Sequence, residues 1–335
     1  MAAQINRSEP PNWLAWTASV LNGMWGDYLH AHDNGLAVEM AFYQQGSPLA
    51  LECSSLLAAH ARPTRKLCVL VHGLGCNELL WRFAPPGQEE EGAQGAVDYG
   101  ELLQAELGYT PFYVRYNSGL AVAANGRALG RLLEALCTCY PEPIEEILLI
   151  GHSMGGLVVR SACYYAGQHN EAWVQHVKRI FYLGTPHDGA DLARLAQAAE
   201  TALHAVPNPI TRIIGNVFSL RSQGIKDLSR GTLLAPDVID EGCDDCVDSD
   251  GGAHHHPRVV PWLPHAQHYL VAGTIGGDAS HIASVLLGDG LVSAPANMDD
   301  AIDPAHIRLF PGVSHMQLAR RWEVYQQIKT WTVGA

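Results

Sequence analysis

The chain has 335 residues, of which 47% are hydrophobic and 16% are charged, and its formal net charge is −13 at pH 7. This length suits one large α/β domain or two smaller ones, and the apolar content excludes intrinsic disorder. The acidic charge offers no basic surface to a phosphate backbone, so we expect no nucleic acid as a partner. No uninterrupted run of about 18 apolar residues is present, so no transmembrane segment is expected.

The amino terminus and the cysteines favour a cytoplasmic location. The first residues, M-A-A-Q-I-N-R-S-E-P-P, contain no basic stretch followed by an apolar one, so no signal peptide is expected. Eight cysteines are present, and several, such as Cys68 and Cys163, lie within apolar runs where a reduced, buried thiol is expected. In a chain of this length, cysteines within apolar runs do not indicate a fold held together by disulfides.

Residues 11–32 are rich in tryptophan, leucine and tyrosine at helical spacing. The pattern predicts an amphipathic helix that is interrupted at Asn22–Gly23. Residues 1–65 are therefore predicted to form a helical extension packed on the main body. A helix lying on a membrane surface is the alternative, but this segment carries no lysine or arginine on a polar face.

From residue 66 onward, short apolar segments alternate with segments of helical spacing. Such alternation predicts a mainly parallel sheet with helices on both faces. Strands are predicted over Leu67–Val71, Thr110–Tyr116, Ile147–Ile150 and Arg179–Leu183, and helices over Leu102–Leu107, Ala121–Tyr140 and the segment ending at Tyr165.

The alternation stops between residues 190 and 258, which we predict to be an inserted cap. Leucines and alanines from Leu192 to Leu203 indicate one amphipathic helix, and a polar, glycine-rich loop follows. The sheet resumes with strands at His268–Val271 and Ile307–Phe310, and a closing helix is predicted over Met316–Trp331. The core of the domain is thus predicted to comprise residues 66–189 and 259–335.

The segment Gly151-His152-Ser153-Met154-Gly155 fits the G-x-S-x-G pattern of a serine nucleophile. In this pattern the serine lies on a tight turn between a strand and a helix, and small neighbours allow the turn to pack closely. The apolar run I-L-L-I precedes the motif and a helical segment follows it, as the pattern requires. Ser153 is the predicted nucleophile, and an idle serine in a glycine-rich loop is the alternative.

A serine hydroxyl needs a neighbouring base, and in hydrolases with this motif the base is a histidine that follows an acid in the chain. With 17 histidines, composition cannot select the base, but position can. His315 comes directly after the last predicted strand, in a loop that can bring its ring over the sheet edge. His306 begins a strand and His281 precedes the proposed acid, so both fit less well.

Asp289, in L-L-G-D-G-L-V-S, is the predicted acid because it lies between the strand at 268–274 and His315. Flanking glycines and apolar residues favour a buried, well-held carboxylate, whereas a simple Asp-Gly turn is the alternative. The other candidates are Asp278, Asp299, Asp300, Asp303 and, farther away, Asp188.

Hydrolysis through a tetrahedral intermediate also needs hydrogen-bond donors for the oxyanion. One is usually the backbone N–H after the nucleophile, which here is Met154, and the other comes from the loop after an early strand. The segment V-L-V-H-G-L-G supplies this loop, so Leu74 is the predicted second donor. His72 is expected to organise the loop rather than to take part in the chemistry.

Taken in order, several motifs are similar to those of α/β-hydrolase lipases and esterases. They are V-H-G-L-G, G-H-S-M-G-G, L-G-T-P-H-D-G, G-D-G-L-V and V-S-H-M, within about residues 66–331. The chain resembles bacterial triacylglycerol-lipase-like proteins and the PGAP1-like group related to GPI inositol-deacylase. The resemblance implies an α/β-hydrolase fold, with a mainly parallel central sheet flanked by helices and an inserted helical cap or lid.

The resemblance further implies hydrolysis of carboxylic esters by Ser153, His315 and Asp289. We expect His152, Leu192 and Leu195 to line the substrate site, and an apolar cap helix to favour medium or longer acyl chains. No cofactor is expected. The expected partner is a small-molecule or lipid ester, and transient contact with a lipid interface is left open, as is the oligomeric state.

Two other kinds of function remain open. The same triad could serve a thioesterase, amidase, acyltransferase or polyester depolymerase, which product analysis with competing acceptors would distinguish. A non-catalytic binding protein with a hydrolase fold is the other alternative, and it would not react with a fluorophosphonate probe.

A cysteine- and histidine-containing loop raises the question of a metal site. Cys243 and Cys246 form a C-x-x-C pair, and His254–His256 follow. A structural zinc site usually has a second, regularly spaced ligand pair, and three adjacent histidines cannot all face one ion. We therefore predict a solvated loop and no metal, with zinc as the alternative.

Overall fold

The computed structural model describes residues 12–84, 96–189, 222–235, 260–274 and 302–334. A mainly parallel sheet forms the centre of this part of the chain, and helices cover both of its faces. Among these residues, no helix is long and apolar enough to cross a membrane.

Eight strands form the main sheet, and a pair of two-residue strands lies apart from it. The strands are β1 (Ala41–Gln44), β2 (Ser47–Pro48), β3 (Lys66–Val71), β4 (Arg82–Phe83), β5 (Val97–Asp98), β6 (Tyr109–Arg115), β7 (Glu146–His152), β8 (Val177–Leu183), β9 (Gln267–Thr274) and β10 (Ile307–Pro311). The order across the main sheet is β10-β9-β8-β7-β3-β6-β1-β2. The strands from β10 to β6 run parallel, whereas β1 is antiparallel to both of its neighbours.

Helices precede, connect and follow the strands of the described residues. They are α1 (Asn12–Ala31), α2 (Cys53–Ala59), α3 (Tyr99–Leu107), α4 (Val122–Cys139), α5 (Met154–His169), α6 (Gln223–Arg230) and α7 (Trp322–Val333). Short 3-10 turns cover Glu78–Trp81, Ala172–His176, Pro304–His306 and His315–Ala319.

Side chains of the central strands alternate between two apolar cores. In β3, Leu67, Val69 and Val71 pack in one core with α4 and α5, while Cys68 and Leu70 pack in the other with α3 and α7. Successive side chains of a strand point to opposite faces, so a strand covered on both sides must be apolar throughout. This explains why β3 has the continuous apolar sequence L-C-V-L-V.

The predicted α/β class with a mainly parallel central sheet is confirmed. The strands predicted between residues 66 and 189 are all present, with ends that differ by one or two residues. The registers place Val71, Gly151 and Tyr182 side by side in neighbouring strands. The loops that follow β3, β7 and β8 therefore meet at one edge of the sheet.

The N-terminal segment differs from the predicted helical extension. Residues 41–48 form β1 and β2, which extend the main sheet instead of packing on it. Gln45 and Gly46, with φ of 49° and 78°, form the turn between them, and positive φ at both central residues is typical of a two-residue hairpin. In α1 the chain continues past Asn22–Gly23, and its non-helical residue is Trp25 (φ −135°, ψ 20°).

The segment from His315 also differs from the prediction. The predicted closing helix is divided into the 3-10 turn at His315–Ala319 and α7, which begins at Trp322. Of the predicted insertion at 190–258, the structure describes residues 222–235, which contain α6; the predicted cap helix from Leu192 lies outside the described residues.

Candidate active site

Ser153 lies at the turn between β7 and α5. Its φ of 54° and ψ of −126° form a backbone conformation that costs a non-glycine residue about 1–3 kcal/mol. Its N–H donates a hydrogen bond to the Leu183 carbonyl (2.8 Å), and its own carbonyl accepts one from the Gly156 N–H (3.0 Å). These bonds hold a strained strand–turn–helix element, which is the context expected for the motif.

The two glycines after Ser153 are required by close packing. A Cβ at Gly155 would lie 2.3 Å from the Val71 carbonyl oxygen, and a Cβ at Gly156 would lie 2.0 Å from Thr185 Oγ1. Both distances are far shorter than a van der Waals contact, so any larger residue would push α5 away from β3 and β8. The glycines therefore set the position of the turn that carries Ser153.

The loop after β3, residues 72–77, passes directly beside Ser153 and is called the oxyanion loop below. A Cβ at Gly73 would lie 2.9 Å from Ser153 Cβ, so glycine allows this close approach. Leu74 is the next residue, and Met154 begins α5, where a backbone N–H has no acceptor within the helix. The two predicted oxyanion donors thus belong to segments that meet at Ser153.

His72 holds the start of the oxyanion loop. Its Nδ1 atom lies 2.8 Å from the Gly73 carbonyl oxygen, and its ring stacks on Tyr116 at a centroid distance of 4.4 Å. The Tyr116 hydroxyl donates to the His72 carbonyl at 2.9 Å. Burial lowers the pKa of His72 to about 3, so its ring is neutral at neutral pH. These contacts organise the loop.

His315 lies at the same edge of the sheet, at the start of its 3-10 turn. A Cβ at Gly184, the residue after β8, would lie 2.8 Å from His315 Nδ1. The rings of His315 and His152 have centroids 4.8 Å apart, and His152 Nε2 donates to the His315 carbonyl oxygen at 3.0 Å. The structure therefore brings the predicted base beside the residue that precedes Ser153.

Both of these imidazoles are neutral at neutral pH. Desolvation by burial and, to a smaller extent, the neighbouring His152 together lower the pKa of His315 to about 3. Burial likewise lowers the pKa of His152 to about 4. A neutral imidazole is the form that can accept a proton from a serine, and a carboxylate beside it would raise its pKa toward the range of an effective base.

Several predicted residues lie outside the part of the chain that the structure describes. Within that part, no side-chain hydrogen bond joins Ser153 to His315, and no carboxylate contacts the His315 ring. The residues outside it are Asp289, Leu192, Leu195, Cys243, Cys246 and His254–His256.

His152, which was predicted to line the substrate site, is buried. The residue is 1% exposed, and its ring donates a hydrogen bond to the backbone carbonyl of His315. The two residues are separated by 163 positions in the chain. No local sequence pattern indicates a contact between residues so far apart in the chain.

A buried arginine, Arg160, was also missed because it lies within an apolar helical pattern. In α5 it donates to His187 Nδ1 (3.1 Å) and to the Val260 carbonyl (2.7 Å), and its guanidinium lies 4.0 Å from the centroid of the Trp262 ring. Burial lowers the pKa of Arg160 and holds that of His187 well below its ordinary value. Arg160 thus ties α5 to described segments on both sides of residues 190–259.

Residues 112–206 match the PGAP1-like alpha/beta domain family. The match includes most of β6 and all of α4, β7, α5 and β8, with the Ser153 turn between them. The mainly parallel sheet with flanking helices is consistent with an alpha/beta domain of this family. No curated protein matches it.

Solved structures that resemble the chain include proteins described as esterases or hydrolases. Esterase B from Lactobacillus rhamnosis has 13% identity over 97% of this chain and 94% of its own, with a TM-score of 0.40. An esterase from Thermogutta terrifontis has 15% identity over 82% and 91%, with a TM-score of 0.39. MGS-MChE2, an α/β hydrolase from a Mar Chica lagoon sediment metagenome, has 11% identity over 82% and 93%, with a TM-score of 0.42. Values this low carry no information on substrate.

Proposed function

We propose that the chain is a serine hydrolase that cleaves carboxylic esters through an acyl-enzyme intermediate. Ser153 is the nucleophile, His315 is the general base, and Asp289 is the carboxylate that orients it. The backbone N–H groups of Leu74 and Met154 stabilise the oxyanion.

The observation that supports this proposal most strongly is the strained backbone of Ser153. A serine keeps a positive φ only where its surroundings enforce it, and such strain is concentrated at functional sites. Here the glycines of α5, the oxyanion loop at Gly73 and the His152–His315 contact all converge on this one residue. A purely structural turn at this position would be formed at lower cost by glycine.

The reaction follows from the chemistry of these groups. Ser153 Oγ attacks the ester carbonyl carbon while a ring nitrogen of His315 takes the hydroxyl proton. The carbonyl oxygen becomes an oxyanion that accepts hydrogen bonds from Leu74 and Met154, and loss of one such donor typically costs about 10²–10³ in rate. His315 then returns the proton to the leaving alcohol, and water, activated in the same way, releases the acid from Ser153.

Ser153 is tested by covalent labelling and by hydrolysis of p-nitrophenyl octanoate. We expect the wild-type protein to react with a fluorophosphonate probe and Ser153→Ala to lose labelling, with hydrolysis reduced about 10³-fold or more. Ser229→Ala, which removes a serine hydroxyl from α6, is the matched control and should keep full activity. Equal hydrolysis by wild type and Ser153→Ala would refute the proposal.

The assignment of the acid is tested among the neighbouring aspartates. We expect Asp289→Asn to lower kcat by about 10³–10⁴, since the imidazole loses the partner that selects its tautomer. Asp299→Asn should leave kcat within twofold of wild type. If Asp299→Asn instead caused the larger loss of kcat, Asp299 would be the acid.

The proposed substrates are esters with medium or longer acyl chains. Leu192 and Leu195 are proposed to contact the acyl chain, as the apolar spacing of their segment suggests. We expect Leu192→Ala and Leu195→Ala to raise KM for octanoate esters more than for acetate esters. A chain-length series in which acetate is by far the best substrate would contradict this preference.

A further inference from the structure

Helix α1 lies directly against the oxyanion loop. A Cβ at Gly23 would lie 2.9 Å from both the Cα and the backbone N of Gly75, and Gly75 itself faces the Cα of Val20. Two backbones therefore touch where a side chain at Gly23 would separate them, whereas a Cβ at Gly75 would only reach van der Waals contact with Val20 Cα (3.8 Å). Gly75 follows Leu74, which supplies one of the proposed oxyanion donors.

Polar contacts hold the loop on both sides of this point. The Gly75 N–H donates to Ser118 Oγ at 2.9 Å, and Ser118 Oγ lies 3.4 Å from the position of a Cβ on Gly23. Farther along the loop, Asn77 Nδ2 donates to Ser19 Oγ of α1 at 3.2 Å, and both residues are buried. The loop is thus held between α1 and the segment that follows β6.

Helix α1 is itself anchored by its backbone carbonyls at the same place. Ser222 Oγ donates to the Gly23 carbonyl at 2.7 Å, and Asn117 Nδ2 donates to the Gly26 carbonyl at 2.9 Å. A Cβ at Gly119 would lie 2.2 Å from the Asn22 carbonyl oxygen, so the segment after β6 also contacts α1 through its backbone. Because α1 is held by these contacts, it cannot easily move away from the loop when one of its glycines is replaced by a larger residue.

We infer that α1 is a positioning element of the active site, in which Gly23 sets the position of Gly75 and thereby that of the Leu74 N–H. This inference rests on the proposed function, because an oxyanion donor has meaning only in a hydrolase. Gly23 touches no substrate. It acts through the backbone of the oxyanion loop, whose other face packs on Ser153 through Gly73.

The substitution Gly23→Ala tests this role. Alanine favours a helix by about 1 kcal/mol over glycine, so α1 alone should not be weakened, and the added methyl group acts mainly on Gly75. We expect kcat for p-nitrophenyl octanoate to fall about 10- to 100-fold, because a misplaced oxyanion donor costs transition-state stabilisation. KM should stay within twofold of wild type.

A boronic acid separates this effect from a general loss of structure. Phenylboronic acid forms a tetrahedral adduct with the serine and places an oxygen where the oxyanion would be. We expect its inhibition constant for Gly23→Ala to rise by about the same factor as kcat falls. Gly167→Ala is the matched control, since Gly167 is also a helical glycine and no atom lies within 4 Å of its added Cβ. It should behave as wild type.

Should Gly23→Ala fail to fold, Ser19→Ala tests another contact between α1 and the oxyanion loop by removing the acceptor of Asn77. It also removes the bond from the Ser19 hydroxyl to the Ala15 carbonyl, which lies within α1. We expect a fall in kcat of about threefold to tenfold, again with unchanged KM, as for loss of about one hydrogen bond. A folded Gly23→Ala, or otherwise Ser19→Ala, with wild-type kcat and boronate affinity overturns this inference alone. A wild-type protein that neither hydrolyses the ester nor reacts with a fluorophosphonate overturns the proposed function together with it.

Discussion

His152 Nε2 donates a hydrogen bond to the backbone carbonyl of His315 at 3.0 Å. Because a carbonyl oxygen can only accept, Nε2 must carry the proton and Nδ1 must be unprotonated. Nδ1 is buried and has no hydrogen-bond partner among the described residues. The residue before the proposed nucleophile therefore holds the backbone of the proposed base.

Removal of this donor should impair catalysis more than stability of the sheet. We expect His152→Leu to lower kcat about 10- to 100-fold, since a lost hydrogen bond with a buried carbonyl left unpaired corresponds to about 1–3 kcal/mol. His152→Gln, which can place an amide N–H near the position of Nε2, should recover much of the activity. Steady-state hydrolysis of p-nitrophenyl octanoate measures both, and equal losses in the two variants would contradict the role of the donor.

The strained backbone at Ser153 predicts that the residue needed for catalysis is not the residue that would make the protein most stable. Ser153→Gly and Ser153→Ala should both abolish hydrolysis, but glycine tolerates a φ of 54° and a ψ of −126° whereas alanine does not. We expect Ser153→Gly to be more stable than Ser153→Ala by about 1–2 kcal/mol, after the entropy cost of glycine in the unfolded chain is included. Urea unfolding of the two variants measures this difference. A more stable alanine variant would show that the turn is not strained.

Five histidines with lowered pKa values predict a loss of stability in mild acid. Burial lowers the pKa values of His72 and His315 to about 3 and those of His152 and His268 to about 4, and it holds the pKa of His187 well below its ordinary value. The unfolded chain takes up protons on these groups below its ordinary pKa of about 6.5, whereas the folded protein does not. The free energy of unfolding should therefore fall as the pH drops from about 6.5 toward 4, by about 1.4 kcal/mol per pH unit for each histidine.

Urea unfolding at pH 7.5 and pH 5.5 measures this effect, for which we expect a fall of about 1.4 kcal/mol from each of the five histidines. In His268→Gln the fall should be about one fifth smaller, because one of the five groups is absent. Burial raises the pKa values of Asp98 and Asp227, and these carboxyls act in the opposite direction. Equal stability at the two pH values would show that the histidines are protonated in the folded state.

Arg160 should contribute more to stability than an arginine at the protein surface. Arg160→Met keeps the length of the side chain but leaves His187 Nδ1 and the Val260 carbonyl without their donor. We expect a loss of about 2–4 kcal/mol, since each unpaired buried group costs about 1–3 kcal/mol. Arg127→Met is the control, because Arg127 also contacts an aromatic ring, that of Tyr165, but is only half-buried. Thermal unfolding of both variants should show the larger shift for Arg160→Met.

Much of the fold could be predicted because its signals are local. The run L-C-V-L-V is apolar at every position, which a strand covered on both faces requires, and glycines around Ser153 mark a tight turn between a strand and a helix. The segment at 41–48 was missed because its two strands have only four and two residues, too few to show a strand pattern in the sequence. Its Gln45–Gly46 turn is the signal that could have revealed it.

The candidate site could be predicted only in part. Ser153, Met154 and Leu74 follow from local motifs, and His315 from its place after the last strand, but the partner of His152 lies 163 residues away. The contacts of the glycines in α1 could not be predicted from the sequence either. Gly23 and Gly26, three residues apart, lie near one face of a helix, and this spacing signals close approach of another backbone without identifying it.

By itself, the sequence determined where the parallel strands between residues 66 and 183 lie and which serine stands at a strand–helix turn, because periodicity, glycine and apolar content act over a few residues. The tertiary structure alone decided that His152 holds His315, that Arg160 joins His187 to Val260, and that Gly23 rests on Gly75. These contacts depend on how parallel strands are ordered across the sheet and which of their loops meet at one edge. Strand order results from the packing of the whole core, and no local segment of the chain encodes it.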